Sequence, residues 1–460
     1  GTEGEAVQNS NLSCFILQMG KQEQNLAKEQ KDSCAVSVDG SFPSSGDVEL
    51  LSSTTDSLSE LNLHTSNVIT TSFFEEIEDH QFNVITSFLE LQAITCLCSC
   101  SKYLRKLLCC LESVDSGKLV LKPQSLAKLL VLCPKLVTLK FQNASKLNMQ
   151  SIEQLLLSLP HLQQLVAKQV RLVSTLRLGT PLTLQLRALE LQGRLFCSSS
   201  TLHTLTCSPQ LTKICLDGCR KLSDDDVGEI CTRCPLLAEL EMSGCSSLKI
   251  PKIHLAHLSK LNMSKCSLLT NIDLDAPVLN HIDFSWSSSL SENCIVYSIP
   301  WVTLHTCVLS GCSMFNLAIT ASELLVLQLN LSIQLEALQL NCPVLAKLDL
   351  RSCTSLKSLS ANLPAIEEID LDFLPLMLLY LDCSKLRRLN LQGCCHLHST
   401  MCTVSSKMLT FLNICDTSMS KVDFLEANKY LAKYTGQNQL EIICCPENSK
   451  YDDNIFATVP

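Results

Sequence analysis

The amino-acid sequence predicts an α/β solenoid, in which short parallel strands from successive repeats stack into one long sheet. The first observation is an LxxLxL pattern that begins at Leu345, Ile366 and Leu386 and therefore recurs after 21 and 20 residues. The second is a composition with 46% hydrophobic but only 5% aromatic residues, which requires an aliphatic core. The third is a weaker apolar pair between two patterns, at Leu356 and Leu359, which indicates a second extended segment in each repeat.

Further copies of the pattern extend this prediction over most of the chain. They begin at Leu136, Leu186, Leu211, Leu237, Leu258, Leu279, Leu304, Leu324 and Leu409. Consecutive starts from Leu186 onward lie 20 to 26 residues apart, within the period of leucine-rich repeats. The early repeats are long enough for a helix beside each strand, and most of the later ones are not. The predicted fold is therefore a leucine-rich-repeat solenoid with a parallel concave sheet, helices on the convex side early and extended segments later.

Three stretches carry helix signals. Pro123 and Pro134 bracket the first, because proline suits the first turn of a helix and also stops one. The second is predicted over Ser151–Pro160. The third begins after Ser223, a suitable N-cap, and ends at Pro235. The three aspartates after this cap suit the positive end of a helix, so they need no metal to explain them.

The two ends of the chain differ from the repeats. Residues 1–70 are polar and Ser-rich, with too few apolar residues to offset the entropy of ordering, which predicts a disordered tail. Apolar residues then return at helical spacing and predict a pair of helices. Beyond Leu409 the pattern stops, and a helix near Phe424–Tyr434 and a strand at Leu440–Cys445 are expected to cap the solenoid. The predicted divisions are 1–70 (tail), 71–115 (helical module), 116–415 (solenoid) and 416–460 (C-terminal cap and tail).

Charge and composition exclude several classes of function. A net charge of −9 and a pI near 5.6 disfavour nucleic-acid binding, which needs a basic face against phosphate. Apolar runs fall short of the ~18 residues that a membrane span requires. Glycine is scarce, at 14 residues, and the sequence has no GxSxG, HExxH or Walker-type motif. We therefore predict a protein that is not an enzyme and takes no cofactor.

The 28 cysteines are scattered at repeat positions and do not have the spacing of a small disulfide framework. They are predicted to be small buried hydrophobic residues in a reducing compartment, the cytoplasm or the nucleus. Two stretches carry metal-ligand residue types, Cys231-x-x-Cys234 and Cys394–His398. Because both coincide with repeat positions or turns, and zinc sites need four ligands, we predict packing and no metal.

The repeat LSDDDVGEICTRCPLLAELEMSGC, residues 222–245, resembles the cysteine-containing subtype of leucine-rich repeat. In that subtype, LxxLxLxxC is followed by a short helix and a Cys-Pro turn. The cysteine position is occupied by Cys219, Cys245, Cys266, Cys312, Cys353 and Cys394. The subtype is best known from F-box/leucine-rich-repeat proteins.

Residues 77–105 in turn resemble an F-box. The residues on its usual positions are Ile77, Ile85, Phe88, Leu89, Ile94, Leu97, Cys100 and Tyr103. Glu78 and Ser99 depart from it, because they stand where an F-box usually has proline and valine. The resemblance implies that this segment binds a Skp-type adaptor, and through it a cullin and a RING protein, in an SCF-type ubiquitin ligase. The repeats would then hold a protein substrate. The alternative is a leucine-rich-repeat interaction scaffold whose helical pair is only a cap, with no ligase link.

The predicted substrate-binding surface consists of the outward residues of the concave strands. Side chains alternate along a strand, and neighbouring strands lie about 4.8 Å apart, so outward residues form columns across the repeats. The candidates are His281, Asp283, Lys347, Asp349, Glu367, Glu368, Asp370, Arg387 and Arg388. An acidic band beside an arginine pair indicates a partner of mixed charge.

Overall fold

The computed structural model describes residues 112–115, 123–147, 149–172, 185–195, 208–429, 431 and 440–444. The chain divides into two units, Gly1–Val68 and Ile69–Pro460, and every described residue belongs to the second. The predicted tail and all eight F-box-like positions from Ile77 to Tyr103 lie outside the described residues.

Three of the helices lie within about two residues of the positions that the sequence predicts. The helices among the described residues are α1 (Pro123–Leu132), α2 (Met149–Ser158), α3 (Asp224–Arg233), α4 (Glu292–Ser298) and α5 (Lys421–Ala427). In α3 the Ser223 hydroxyl accepts from the Asp226 amide and the Asp226 carboxylate accepts from the Ser223 amide, which makes a capping box. The C-terminal helix α5 begins at Lys421, three residues before the predicted start at Phe424, and α4 was not predicted from the sequence.

The strands are short and numerous. The first eleven are β1 (Ser113–Asp115), β2 (Thr138–Phe141), β3 (Gln164–Leu172), β4 (Ala188–Leu195), β5 (Lys213–Cys215), β6 (Glu239–Glu241), β7 (Lys252–His254), β8 (Lys260–Asn262), β9 (Asp273–Asp275), β10 (His281–Asp283) and β11 (Thr306–Val308). The remainder are β12 (Asn316–Thr320), β13 (Val326–Gln328), β14 (Ala337–Asn341), β15 (Lys347–Asp349), β16 (Ser358–Asn362), β17 (Glu368–Asp370), β18 (Leu378–Asp382), β19 (Arg388–Asn390), β20 (Cys402–Ser405), β21 (Phe411–Asn413) and β22 (Glu441–Ile443).

All of these strands pair in parallel, as a solenoid requires. The LxxLxL strands form an eleven-stranded sheet, β1-β2-β3-β4-β5-β6-β8-β10-β11-β13-β15, and a four-stranded sheet, β17-β19-β21-β22. The other segments form a five-stranded sheet, β12-β14-β16-β18-β20, and a two-stranded sheet, β7-β9. The predicted second set of extended segments is thus confirmed. The expected C-terminal strand adds β22 to the LxxLxL set by pairing with β21.

Repeat length decides what lies opposite each LxxLxL strand. The 26-residue repeat from Leu211 contains α3, and the 25-residue repeat from Leu279 contains α4. Repeats of 20 or 21 residues contain a strand at this place instead. The 21-residue repeats from Leu237 and Leu258 contain β7 and β9, and these two strands therefore come before α4 in the chain. A helix rises only 1.5 Å per residue against about 3.3 Å for a strand, so the same return path takes more residues as a helix.

The core lies between the two sets of segments. The first, fourth and sixth residues of the LxxLxL pattern point inward, as Leu258, Leu261 and Met263 illustrate with no exposed surface. Inward residues of both sets belong to one continuous hydrophobic cluster. Full burial of one such side chain stabilises the fold by about 1.5–3 kcal/mol, so the stability is spread along the repeats.

The eighth residue of each repeat has a left-handed backbone. From β3 onward this column comprises Gln169, Gly193, Gly218, Gly244, Lys265, Trp286, Gly311, Leu331, Ser352, Phe373, Gly393 and Asp416. The amide of such a residue donates to a carbonyl of the next repeat, for example from Gly311 to Asn330 at 3.0 Å. The ladder therefore continues past the end of the strand while the chain turns away from it.

The cysteine position of the repeat forms a second ladder. The thiol of Cys353 donates to the carbonyl oxygen of Leu329 at 3.2 Å, and the Cys394 thiol donates to that of Leu371 at 3.1 Å. Cys245, Cys266 and Cys312 make equivalent bonds. Where serine replaces cysteine, at Ser287 and Ser332, the hydroxyl makes the same bond. These thiols thus join neighbouring repeats. Cys231 in α3 and Cys234 at its C-cap are buried as well.

Candidate functional site

The solvent side of the LxxLxL strands is called here the first-sheet face. It consists of the third and fifth residues of each pattern, for example Lys213 and Cys215 on β5 and Lys347 and Asp349 on β15. These residues flank the inward fourth position, so they point away from the core. The face is therefore a row of paired columns that runs across the repeats.

The nine predicted candidates all lie on this face or at its edge, but they form two groups. His281 and Asp283 are half-buried on β10, and β11 and β13 separate them from Lys347 on β15. Burial lowers the pKa of His281, and the nearby charge of Lys260 lowers it further. The structure therefore does not bring the candidates into one site.

The predicted acidic band is largely paired within the protein. Arg387 lies 3.9 Å from Glu367, and Arg388 lies 3.8 Å from Glu368. The Arg388 guanidinium also lies 4.5 Å from the centre of the Phe411 ring, which holds it over an aromatic face. All four charged side chains are more than half exposed, so these pairs can exchange for pairs with a partner.

Asp349 and Asp370, the other acidic members, also have internal partners. Arg351 donates to the two oxygens of Asp349 at 2.9 and 2.6 Å, and these bonds lower the pKa of the carboxyl. Asn390 donates to Asp370 at 2.8 Å. Arg351 follows β15 in the chain, and sequence reasoning did not include it.

A denser polar network lies farther toward the N-terminus, on β4 to β8. Lys213 lies 3.0 Å from Glu190 and 3.2 Å from Glu239, and Lys260 lies 2.7 Å from Glu241. Burial by itself lowers the pKa of Lys213, but the two glutamates outweigh that effect and raise it. Positive and negative side chains therefore alternate across neighbouring strands, and their ion pairs link these strands.

Within this network, Glu241 lies close to two further side chains, those of Cys215 and Asp217. One potential ligand atom from each of Cys215, Asp217 and Glu241 lies within 4.8 Å of the others. Asp217 is held by the Ser243 amide, which donates to its Oδ1 at 2.8 Å. Burial raises the pKa of the Cys215 thiol to about 12. Sequence reasoning missed this cluster, because it becomes visible only when the repeats are aligned and read column by column.

Comparison with protein families identifies the repeats. The family model described as "At1g61320/AtMIF1, LRR domain" matches residues 145–295. The chain carries a leucine-rich-repeat domain. A comparison with curated proteins gives no significant match.

Comparison with solved structures gives matches of low similarity. The yeast Rad7–Elc1 complex matches with 14% identity and a TM-score of 0.29, over 93% of this chain and 97% of that chain. A leucine-rich-repeat protein from Bacteroides ovatus matches with 13% identity and a TM-score of 0.25, over 73% and 82%. An internalin from Listeria monocytogenes matches with 11% identity and a TM-score of 0.28, over 78% and 94%.

Among the described residues, the helices are too short or too polar to span a bilayer.

Proposed function

We propose that the protein is the substrate-recognition subunit of an SCF-type cullin–RING ubiquitin ligase and is not itself an enzyme. Residues 77–105 bind a Skp-type adaptor, and the first-sheet face binds the protein substrate. The chain then works in the cytoplasm or the nucleus. Two features support the proposal, the resemblance of residues 77–105 to an F-box and their place immediately before cysteine-type repeats.

The proposal that the repeats bind a substrate rests on the charge and the rigidity of the first-sheet face. It presents charged side chains at regular spacing on strands that are fixed by parallel ladders and a buried core. A rigid surface loses little conformational freedom when a partner binds, which favours affinity. Exposed ion pairs such as Arg387–Glu367 and Arg388–Glu368 offer both signs of charge to a protein partner.

A pull-down with a purified Skp-type adaptor tests the ligase link. The intact chain is expected to capture the adaptor. Ile85→Asp and Leu97→Asp are expected to abolish capture, because a buried unpaired carboxylate is incompatible with an apolar interface. The triple variant Glu367→Lys, Glu368→Lys, Asp370→Lys changes the first-sheet face only and should capture as much adaptor as the intact chain. Absence of capture by the intact, folded chain would favour the scaffold alternative.

The same triple variant tests the substrate surface. Proximity labelling in cells treated with a proteasome inhibitor gives a set of partners for the intact chain, and the triple variant is expected to lose members of that set. Asp273→Lys with Asp275→Lys is the matched control, because both aspartates are exposed on β9, outside the first-sheet face. An identical set of partners for the intact chain and the triple variant would show that substrates bind elsewhere.

A further inference from the structure

One thiol and two carboxylates converge on the first-sheet face at β5 and β6. Cys215 and Glu241 are direct partners in the parallel ladder, and Asp217 follows Cys215 by two residues. Their donor atoms lie within 4.8 Å of one another. Ligand atoms around a tetrahedral zinc ion lie about 3.5 Å apart, given metal–ligand distances of about 2.0–2.3 Å. Small side-chain rotations would bring the three atoms to that separation.

The sulfur is oriented by neighbouring side chains. Cys215 occupies an outward position of its strand, yet it has no exposed surface. Gln192 donates its side-chain N–H to the sulfur, with an Nε2 to Sγ distance of 3.6 Å. A metal cation could take the place of the thiol proton while Gln192 continued to donate to the thiolate.

The carboxylates are oriented as well. Asp217 accepts from the Ser243 amide at its Oδ1, and Glu241 accepts from Lys260 at its Oε1. In each carboxylate one oxygen is therefore anchored by a neighbouring repeat, which fixes the orientation of the group. Outer contacts of this kind fix metal ligands in place and affect metal affinity strongly.

The charge of the network also favours a cation. Four carboxylates, those of Glu190, Asp217, Glu239 and Glu241, face the two ammonium groups of Lys213 and Lys260, which leaves two negative charges. A divalent cation that displaces the thiol proton would reduce this surplus to one negative charge.

We propose that Cys215, Asp217 and Glu241 bind a divalent metal ion of the zinc class, with a fourth position open to water. One thiolate and two carboxylates suit zinc better than calcium or magnesium, which prefer oxygen ligands alone. Binding converts the thiol to a metal thiolate and releases one proton to solvent. The ion would bridge the repeats that begin at Leu211 and Leu237. The proposal does not depend on adaptor or substrate binding.

Titration of the reduced, metal-free, full-length chain with Co²⁺ tests the site, because a cobalt–thiolate bond gives a charge-transfer band. The band is expected to saturate at one Co²⁺ per chain and to disappear when Zn²⁺ displaces the cobalt. Cys215→Ser is expected to abolish the band. Asp217→Asn and Glu241→Gln keep the thiol and are expected to weaken Co²⁺ binding at least tenfold.

Cys395→Ser is the matched control, because Cys395 is exposed and lies beside His396 in the sequence, which makes it a competing site for a metal among the described residues. This variant should bind Co²⁺ like the intact chain. The proposal is overturned if the intact chain gives no band, or if folded Cys215→Ser keeps the band with unchanged affinity. Should Cys215→Ser not fold, unchanged affinity in both carboxylate variants would overturn it equally.

Discussion

At the scale of single residues, Trp286 and Gly311 share one structural constraint. Both occupy the eighth position of their repeats and have left-handed backbones, with φ of 63° and 70°. A Cβ on Gly311 would lie 2.8 Å from Cε3 of the Trp286 ring. The glycine therefore accommodates both the left-handed turn and the aromatic ring of the preceding repeat.

Gly311→Ala is expected to destabilise the chain more than Gly244→Ala. Both substitutions place a Cβ on a left-handed residue, at a cost of about 1–2 kcal/mol. At Gly244 the nearest atom to the new Cβ is 3.8 Å away, so strain in the backbone is the main effect there. At Gly311 the ring must also move, which adds about 1–3 kcal/mol by overpacking. Unfolding in denaturant measures both costs.

Tryptophan fluorescence gives a second measurement of the same contact. The chain has two tryptophans, and Trp286 is half exposed whereas Trp301 is buried. Gly311→Ala is expected to change the native emission, and Gly244→Ala is not. Equal unfolding midpoints together with unchanged emission in both variants would mean that the ring does not pack over Gly311.

At the scale of elements, α3 is tied to the following repeat by its first residue. The carboxylate of Asp224 accepts from the amides of Lys249 and Ile250 at 2.9 and 3.0 Å. Glu292, the first residue of α4, accepts in the same way from the amides of Phe315 and Asn316 at 2.6 and 2.9 Å. In both helices, an acidic first residue thus accepts hydrogen bonds from backbone amides of the next repeat.

Asp224→Ala is therefore expected to destabilise the chain more than Asp225→Ala. The two aspartates are neighbours at the positive end of α3, where each carboxylate contributes about 0.3–1 kcal/mol. Asp224→Ala also removes the acceptor of two amides, and each hydrogen bond lost adds about 0.5–1.5 kcal/mol. Denaturant midpoints compare the two variants, and equal shifts would show that the contact between coils contributes nothing.

These elements show what the sequence could predict. Leucines at fixed spacing predicted the strands and their inward residues, because burial depends on local alternation alone. Repeat length predicted helices in the early repeats and extended segments in most later ones, and the position of α4 after β7 and β9 departs from that order. The Asp224 contact and the Cys215 cluster could not be read in this way, because they depend on which residues of different repeats become neighbours. The first-sheet candidates were predicted to be outward-facing, but the pairing of Asp349 with Arg351 depends on side-chain conformation.

At the scale of the whole molecule, burial makes most of the described cysteines chemically inert. Cys353 is buried, which raises the pKa of its thiol to about 11, and the reactive form of cysteine is the thiolate. Cys395 and Cys444, in contrast, are exposed. The abundance of cysteine therefore does not make the folded repeats sensitive to thiol reagents.

Titration of the native chain with a thiol-specific disulfide reagent measures this protection. Cys395→Ser is expected to lower the number of fast-reacting thiols by one, and Cys353→Ser is expected to leave the number unchanged. Serine at position 353 keeps a donor for the Leu329 carbonyl, as Ser332 does in the preceding repeat, so the fold should persist. A loss of one fast thiol in Cys353→Ser would contradict the buried cysteine ladder. In denaturant all 28 thiols of the intact chain should react.

The interruption between β15 and β17 has a mechanical consequence. The LxxLxL strands are divided there into two sheets, whereas β16 and β18, which lie in the same two repeats, pair over five residues from Ser358↔Leu378 to Asn362↔Asp382. The pairing of β16 with β18 thus stiffens the solenoid at this gap, because bending there would break the hydrogen bonds between these two strands. For a partner that contacts Asp349 and Glu368 together, the distance between these two residues is therefore fixed before binding.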